Sequence, residues 1–213
     1  MDTGITRIND IEAQSLAIID ELLPSISCTD RERQVIKRIV HATGDLAIAE
    51  LVKFHPNAID AGVATIRAGK PIFTDGRMTA VGINKRQIAQ KFGCSIHCAL
   101  DEVDALQQIE KGKATRSATA ISVIGPRLSG ALVAIGNAPT ALLELVNLID
   151  NGISPSLVVG MPVGFIQAEE SKVELTKRSI PYITIIGKRG GSAAAAAAVN
   201  ALLRLALEAQ DEV

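Results

Sequence analysis

From residue 71 onward, short apolar runs alternate with turns and helical patterns, and this rhythm limits the possible folds more than any other feature. The runs are, in chain order, Pro71–Thr74, Cys94–His97, Ala131–Ile135, Leu157–Val159 and Tyr182–Ile186. They are apolar on both faces, as strands covered by helices must be. Strand, turn and helix repeated several times predict an α/β protein with an open, mainly parallel sheet covered on both sides.

The first third of the chain is predicted to be helical. Apolar residues recur at helical spacing from Ile11 to Leu22, and Pro24 ends that run. Thr29 and Glu32 have the spacing of a capping box, which predicts that a second helix begins there. We therefore expect an N-terminal helical segment before the sheet.

Composition excludes several classes of protein. A length of 213 residues favours a single domain, 1–213, and a net charge of -1 with scattered cations argues against nucleic-acid binding. The polar residues 1–10 do not resemble a signal peptide, and the apolar stretch 193–199 is too short to cross a bilayer. Three cysteines read as reduced thiols, so we expect a cytoplasmic protein without membrane contact.

One cluster raises the question of a metal. Cys94, His97 and Cys98 lie close together, but no second group of ligands follows in the sequence. We expect the end of a strand with buried thiols, and no metal site.

Ligands of such sheets bind in the turns after the strands, so these turns are the candidate site. In Gly136-Asn137-Ala138-Pro139-Thr140, Asn137 fits an N-cap and Pro139 the first turn of a helix. Free amides there would attract a carboxylate or phosphate, or the turn simply caps a helix. The glycines of Gly160–Phe165 permit close approach to a bulky ligand, or merely a tight bend.

The last turn, Gly187–Ser192, is the strongest signal for an anion. Lys188 and Arg189 stand beside paired glycines just before a long alanine-rich helix. A Walker A loop has its lysine after the glycines, whereas Lys188 precedes them, and no Gly-x-Gly-x-x-Gly follows any run. Nucleotide binding is therefore disfavoured.

Two further residues are candidates for chemistry. His41 closes an apolar helix, where it suits general acid–base catalysis or merely interaction with the helix dipole. Arg116, within Thr115-Arg116-Ser117, is either a clamp for a carboxylate or an ordinary surface cation. The residues alone thus indicate an α/β protein that binds an anionic small molecule.

The same segments resemble the precorrin-8X methylmutase family over roughly residues 10 to 205. The matching strings are Val40–Asp45, Ile135–Leu142, Gly160–Phe165, Glu170–Lys172, Arg189–Ser192, Thr115–Ala118, Asp75 with Met78, and Ser15 with Ile18-Ile19 and Glu21. One departure is the segment Gly112-Lys113-Ala114, since an asparagine is expected before Thr115. The histidines His55 and His97 match no functional position and are expected to be structural.

The resemblance implies a homodimer with a three-layer α/β/α fold and an active site at the dimer interface. It implies a 1,5-sigmatropic shift of a methyl group from C11 to C12 of a corrin precursor, without cofactor or metal. The substrate is precorrin-8X, or its cobalt form, and the products are hydrogenobyrinic and cobyrinic acid. His41 is implied to be the general acid that protonates a ring nitrogen.

The resemblance, together with the anion-binding turns, also predicts the residues that contact the substrate. They are Ser15, Thr43, Asp75, Met78, Arg116, Ser117, Asn137, Ala138, Pro139, Gly160, Met161, Gly164, Lys188, Arg189, Gly190, Gly191 and Ser192. The alternative from another class is a non-catalytic tetrapyrrole carrier that uses the same pocket. A phosphate- or nucleotide-binding protein is a weaker alternative, suggested by the turn Lys188–Ser192.

Overall fold

A computed structural model describes residues 8–83, 91–102 and 114–211 of the chain, so Gly112, Lys113 and the polar residues 1–7 lie outside it. Its elements are α1 (Ile8–Leu22), α2 (Asp30–Thr43), β1 (Val52–Phe54), α3 (Ala58–Arg67), β2 (Ile72–Thr74), α4 (Arg77–Gly82), β3 (Ile96–Cys98), α5 (Ala99–Glu102), α6 (Arg116–Ile124), β4 (Leu132–Ile135), α7 (Pro139–Asp150), β5 (Leu157–Gly160), α8 (Ala168–Thr176), β6 (Tyr182–Ile185) and α9 (Ser192–Asp211).

The strands form a six-stranded sheet in the order β1-β6-β5-β4-β2-β3. Strands β2 to β6 pair parallel with one another, which confirms the mainly parallel sheet and the five predicted strands. The edge strand β1 pairs antiparallel with β6 and was not predicted. It has only three residues, and the exposed Lys53 at its centre hides the apolar signal of a strand.

Helices cover both faces of the sheet, so the three-layer α/β/α architecture is confirmed. In β4, Leu132 and Ala134 pack into the cluster formed with α2, α3 and α9. Val133 and Ile135, on the opposite face, pack into the cluster formed with α6, α7 and α8. This alternation explains why the strand is apolar throughout: both faces are removed from water.

The predicted helix signals of the N-terminal third are confirmed. Helix α1 ends at Leu22, and the capping box of α2 is present: the Thr29 hydroxyl accepts from the amide of Glu32, whose carboxylate accepts from the Thr29 amide. The apolar stripe of α2 is buried. Helix α2 ends at Thr43, with Gly44 in the left-handed conformation (φ 65°) that glycine adopts most readily.

Ion pairs between charged side chains connect helix α1 to α2. Arg33 donates to the carboxylate of Asp20 over 2.7 Å, and Arg38 pairs with Glu12. The outer face of α1 is apolar yet lies in solvent, with Ile11, Ile18 and Leu22 each more than half exposed. In the part of the chain that the structure describes, no helix is long and apolar enough to span a membrane.

Candidate active site

The turns that follow β5 and β6 are joined to each other by their backbones. The amide of Gly191 donates to the carbonyl of Met161 over 2.8 Å, and the amide of Gly164 donates to the carbonyl of Lys188 over 3.1 Å. Gly190 has φ +148°, and a Cβ atom built on it would collide with the carbonyl oxygen of Met161. The glycine is required here because the two turns touch through their main chains, so the cationic turn is held in one conformation.

The turn after β4 is organised by a buried carboxylate. Asp75, 1% exposed, follows β2 and accepts hydrogen bonds from the amides of Gly136, Asn137 and Ala138 over 2.9, 2.9 and 2.7 Å. The strand order reverses between β2 and β4, which is where open α/β sheets form their crevice. In this protein the side chain of Asp75 lies at that point of the sheet, between the ends of β2 and β4.

This arrangement corrects one prediction about the turn. Asn137 is not the N-cap of α7: the N-cap residue is Ala138, and Pro139 occupies the first turn as predicted. The amides of Gly136, Asn137 and Ala138, which lead into this helix, are occupied by the Asp75 carboxylate. Burial raises the pKa of Asp75, while the three amide donors act against that rise by stabilising the charged form.

His41 and Ser15 are brought together although they lie 26 residues apart in the chain. The Ser15 hydroxyl lies 3.0 Å from Nδ1 of His41, so the contact between α1 and α2 holds the imidazole by one nitrogen. The ring is at the exposed end of α2, and Nε2 makes no hydrogen bond within the described residues. The Ser15 hydroxyl can donate to Nδ1 or accept from it, and in either case Nε2 is the ring nitrogen left for another partner.

An ion pair connects the end of α2 to the cationic turn after β6. Nε of Arg189 lies 2.8 Å from a carboxylate oxygen of Asp45, four residues beyond His41. Thr43 lies between them, and its hydroxyl donates to the carbonyl of Ile39 over 2.9 Å. The predicted residues at the end of α2 and at the start of α9, which begins at Ser192, therefore belong to one region of the surface.

Large apolar side chains project into solvent near this region. Phe165 is 86% exposed, Ile166 81% and Met78 79%. The ammonium of Lys188 lies 5.5 Å from the centroid of the Phe165 ring, a cation–π distance. The sequence predicted Met78 but not Phe165 or Ile166, although two apolar residues inside a glycine-rich turn are themselves a signal of an exposed contact surface.

The Arg116 segment lies in the other helical layer. Thr115 caps α6 by accepting from the amide of Ala118, and its hydroxyl lies 2.6 Å from that of Thr140 at the start of α7. Arg116 and Ser117 thus stand in the first turn of α6. A cation there is disfavoured by the helix dipole, so an anion from outside the helix would be stabilised beside it. Among the described residues, no hydrogen bond or ion pair joins this segment to His41.

The cysteine cluster has no sign of a metal site. The Cys94 thiol lies 3.4 Å from the carbonyl of Ile66, and burial raises the pKa of both Cys94 and Cys98. The His97 ring stacks on Phe73 with a centroid distance of 5.1 Å. Over the residues that the structure covers, no three His, Cys, Asp or Glu side chains form a group suited to a metal ion.

Comparisons with known proteins point to one family. Residues 10–205 match the family model described as precorrin-8X methylmutase. The chain is 41% identical over 197 residues to a cobalt-precorrin-8 methylmutase of Priestia megaterium, covering 92% of this chain and 87% of that protein. It is 42% identical over 168 residues to a precorrin-8X methylmutase of Pseudomonas aeruginosa, covering 78% and 80%. The crystal structure of a precorrin-8X methylmutase from Thermus thermophilus superposes with a TM-score of 0.88 at 36% identity, covering 94% and 97%.

Proposed function

The chain belongs to the precorrin-8X methylmutase family, and from this premise we propose how its residues carry out the reaction. It is an isomerase of cobalamin biosynthesis that transfers a methyl group within its substrate, from C11 to C12 of the macrocycle. The shift rearranges the conjugated ring and leaves its composition unchanged. The tasks left to the protein are to bind the ring, orient it and deliver a proton.

His41 delivers that proton. As conjugation is rearranged, a ring nitrogen becomes more basic, and a proton donated from Nε2 of His41 stabilises the charge that develops there. The proton returns to Nε2 as the product forms, so the composition of the substrate is unchanged. The observation that carries this proposal is the hydrogen bond between Ser15 and Nδ1, because it engages one nitrogen of the imidazole and leaves Nε2 for the bound macrocycle. Positioned proton transfer of this kind contributes about 10²–10⁴-fold to a rate.

The exposed apolar side chains form a floor for the macrocycle, and the cations near them bind its carboxylate arms. Met78, Phe165 and Ile166 offer the apolar surface that a flat ring requires. Lys188 stands over the Phe165 ring, so an acidic arm of a bound substrate meets a positive charge at the border of that surface. The unsatisfied amides at the start of α9 and the guanidinium of Arg189 extend the same site.

The functional unit is a homodimer in which a second copy covers the apolar face of α1. Ile11, Ile18 and Leu22 lie on one side of that helix and are exposed by 56, 56 and 57%. Ser15 lies on the same helix and contacts His41, so a partner on this face closes the site beside the catalytic ring. The free thiols Cys28, Cys94 and Cys98 suit a reducing, cytoplasmic location.

An absorption experiment tests the proposed function and identifies the natural substrate. A relative named cobalt-precorrin-8 methylmutase is 41% identical to this chain, and one named precorrin-8X methylmutase is 42% identical. Metal-free precorrin-8X and its cobalt form must therefore each be tried. We expect the spectrum of at least one mixture to progress to that of hydrogenobyrinic or cobyrinic acid. Binding of both compounds without progress of either spectrum would instead make the chain a tetrapyrrole carrier.

A further inference from the structure

Lys172 is a buried lysine for which the reaction described above has no use. Its side chain is 0% exposed, and its ammonium donates to the carbonyl oxygen of Arg189 over 2.7 Å. Lysine is seldom fully buried unless it is paired with an opposite charge, and here the atom it contacts is a neutral carbonyl. Burial lowers the pKa of Lys172 to about 8, with Glu169 acting in the opposite direction.

The carbonyl that Lys172 binds belongs to the cationic turn between β6 and α9. On both sides of it the turn is held by backbone bonds, from Gly164 to the Lys188 carbonyl and from Gly191 to the Met161 carbonyl. Lys172 holds the peptide between those two bonds through a side chain of α8. The side chain of the same residue, Arg189, pairs with Asp45 at the end of α2. Arg189 is therefore held at two points: Lys172 of α8 binds its carbonyl, and Asp45 at the end of α2 pairs with its guanidinium.

We propose that Lys172 is a positioning residue for substrate binding: by holding the Arg189 carbonyl, it sets the direction in which the Arg189 guanidinium and the first amides of α9 meet a carboxylate arm. This inference rests on the proposed function, since it assigns to Lys172 a part in the recognition of the same substrate. Lys172 does not touch the substrate and acts through Arg189. Its loss therefore weakens binding while His41 keeps its ability to deliver a proton.

A double-mutant cycle on product affinity tests the proposal. The product that the absorption experiment identifies, hydrogenobyrinic or cobyrinic acid, is titrated by absorption into the wild type, Lys172→Met, Arg189→Ala and the double variant, with Lys177→Met as the control. Lys177 lies at the end of the same helix and pairs with Glu174 at the surface. We expect each single change at Lys172 or Arg189 to weaken binding about tenfold, and the double variant to bind no more than about threefold more weakly than Arg189→Ala, because the two residues act as one unit.

The outcomes separate this proposal from the proposed function. A wild type that binds neither hydrogenobyrinic acid nor cobyrinic acid contradicts the proposed function itself. If the wild type binds, then unchanged affinity in Lys172→Met, or losses that multiply to about a hundredfold in the double variant, overturns the positioning role. Should Lys172→Met fail to fold by circular dichroism, Lys172→Leu, which also has no donor for the Arg189 carbonyl, replaces it in the same cycle and is judged by the same two criteria.

Discussion

At the scale of single residues, the proposed proton transfer depends on how one imidazole is held. His41 is bound through Nδ1 by a hydroxyl from another helix, and its second nitrogen is presented at an exposed helix end. The proposed acid is thus held by a partner residue that the local sequence does not reveal.

Replacement of His41 by alanine should separate chemistry from binding. We expect the turnover number of His41→Ala to fall by about 10²–10⁴-fold, because the general acid is removed, with product affinity close to that of the wild type. Stopped-flow absorption measures the first quantity and equilibrium titration the second. His55→Ala is the control, since that ring contacts Tyr182 and the amide of Asn57 and should leave turnover unchanged. Wild-type turnover in His41→Ala would contradict the assignment.

Ser15 should affect the rate more modestly than His41. In Ser15→Ala the imidazole loses one hydrogen bond, typically about 0.5–1.5 kcal/mol, so we expect turnover to fall by about 2- to 10-fold. Ser15→Thr keeps the hydroxyl and should restore most of the rate. Equal rates in both variants, measured at saturating substrate, would show that the hydroxyl does not orient the ring.

At the scale of secondary-structure elements, buried charged side chains hold the loops that form the candidate site. Asp75 joins the end of β2 to the start of α7, and Lys172 joins α8 to the turn before α9. Each charged group satisfies main-chain atoms of an element distant in sequence. Their contribution is to hold those turns in place.

Asp75→Asn should destabilise the protein. The amide group of asparagine has one NH₂ where the carboxylate has an acceptor oxygen, so at least one of the amides of Gly136, Asn137 and Ala138 faces a donor. A buried donor without an acceptor costs about 1–3 kcal/mol, and we expect urea unfolding to show a loss of this size. Asp60→Asn, in a surface ion pair with Arg31, is the control and should change the stability by less than about 1 kcal/mol. A stable Asp75→Asn would mean that the carboxylate does not hold the turn.

Lys172 should make the stability depend on alkaline pH. Its pKa falls from 10.5 to about 8 on burial, so between these values the unfolded chain binds more protons than the folded one. The free energy of unfolding therefore rises with pH across this window, by about 1.4 kcal/mol per unit at most and about 3 kcal/mol in total. Urea unfolding measured from pH 7.5 to 10 should show the free energy of unfolding of the wild type rising relative to that of Lys172→Met. A difference that does not change with pH would indicate a lysine with an ordinary pKa.

At the scale of the whole molecule, the sheet separates the candidate site into two parts. His41, Asp45 and Arg189 meet on one side, whereas Arg116 stands in the opposite helical layer. A ring that contacts both parts must lie across the carboxyl edge of the sheet, or Arg116 must serve a site completed by a second copy. Both arrangements leave the apolar face of α1 free for a partner.

A charge on the apolar face of α1 should weaken the dimer. We expect the wild type to sediment as a dimer and Ile18→Lys to shift towards a monomer at micromolar concentration, because the face that a second copy would cover then carries a buried charge. Val123→Lys adds the same charge to an exposed position in the other helical layer and should remain dimeric. A monomeric wild type, or a dimeric Ile18→Lys, would contradict the assignment of this face.

The sequence by itself determined the architecture and the chemistry of the chain. Five strands, the capping box at Thr29, the proline at the start of α7 and the family all follow from patterns a few residues long, because backbone preferences and burial act locally. Only the tertiary structure decided which side chains meet. Ser15 reaches His41 across 26 residues, Asp75 occupies amides 61 to 63 residues away, and Lys172 binds the carbonyl of Arg189. Strand β1 was likewise decided by the tertiary structure, since its identity as a strand depends on pairing with β6. Such contacts arise from the packing of distant elements, and no local pattern encodes them.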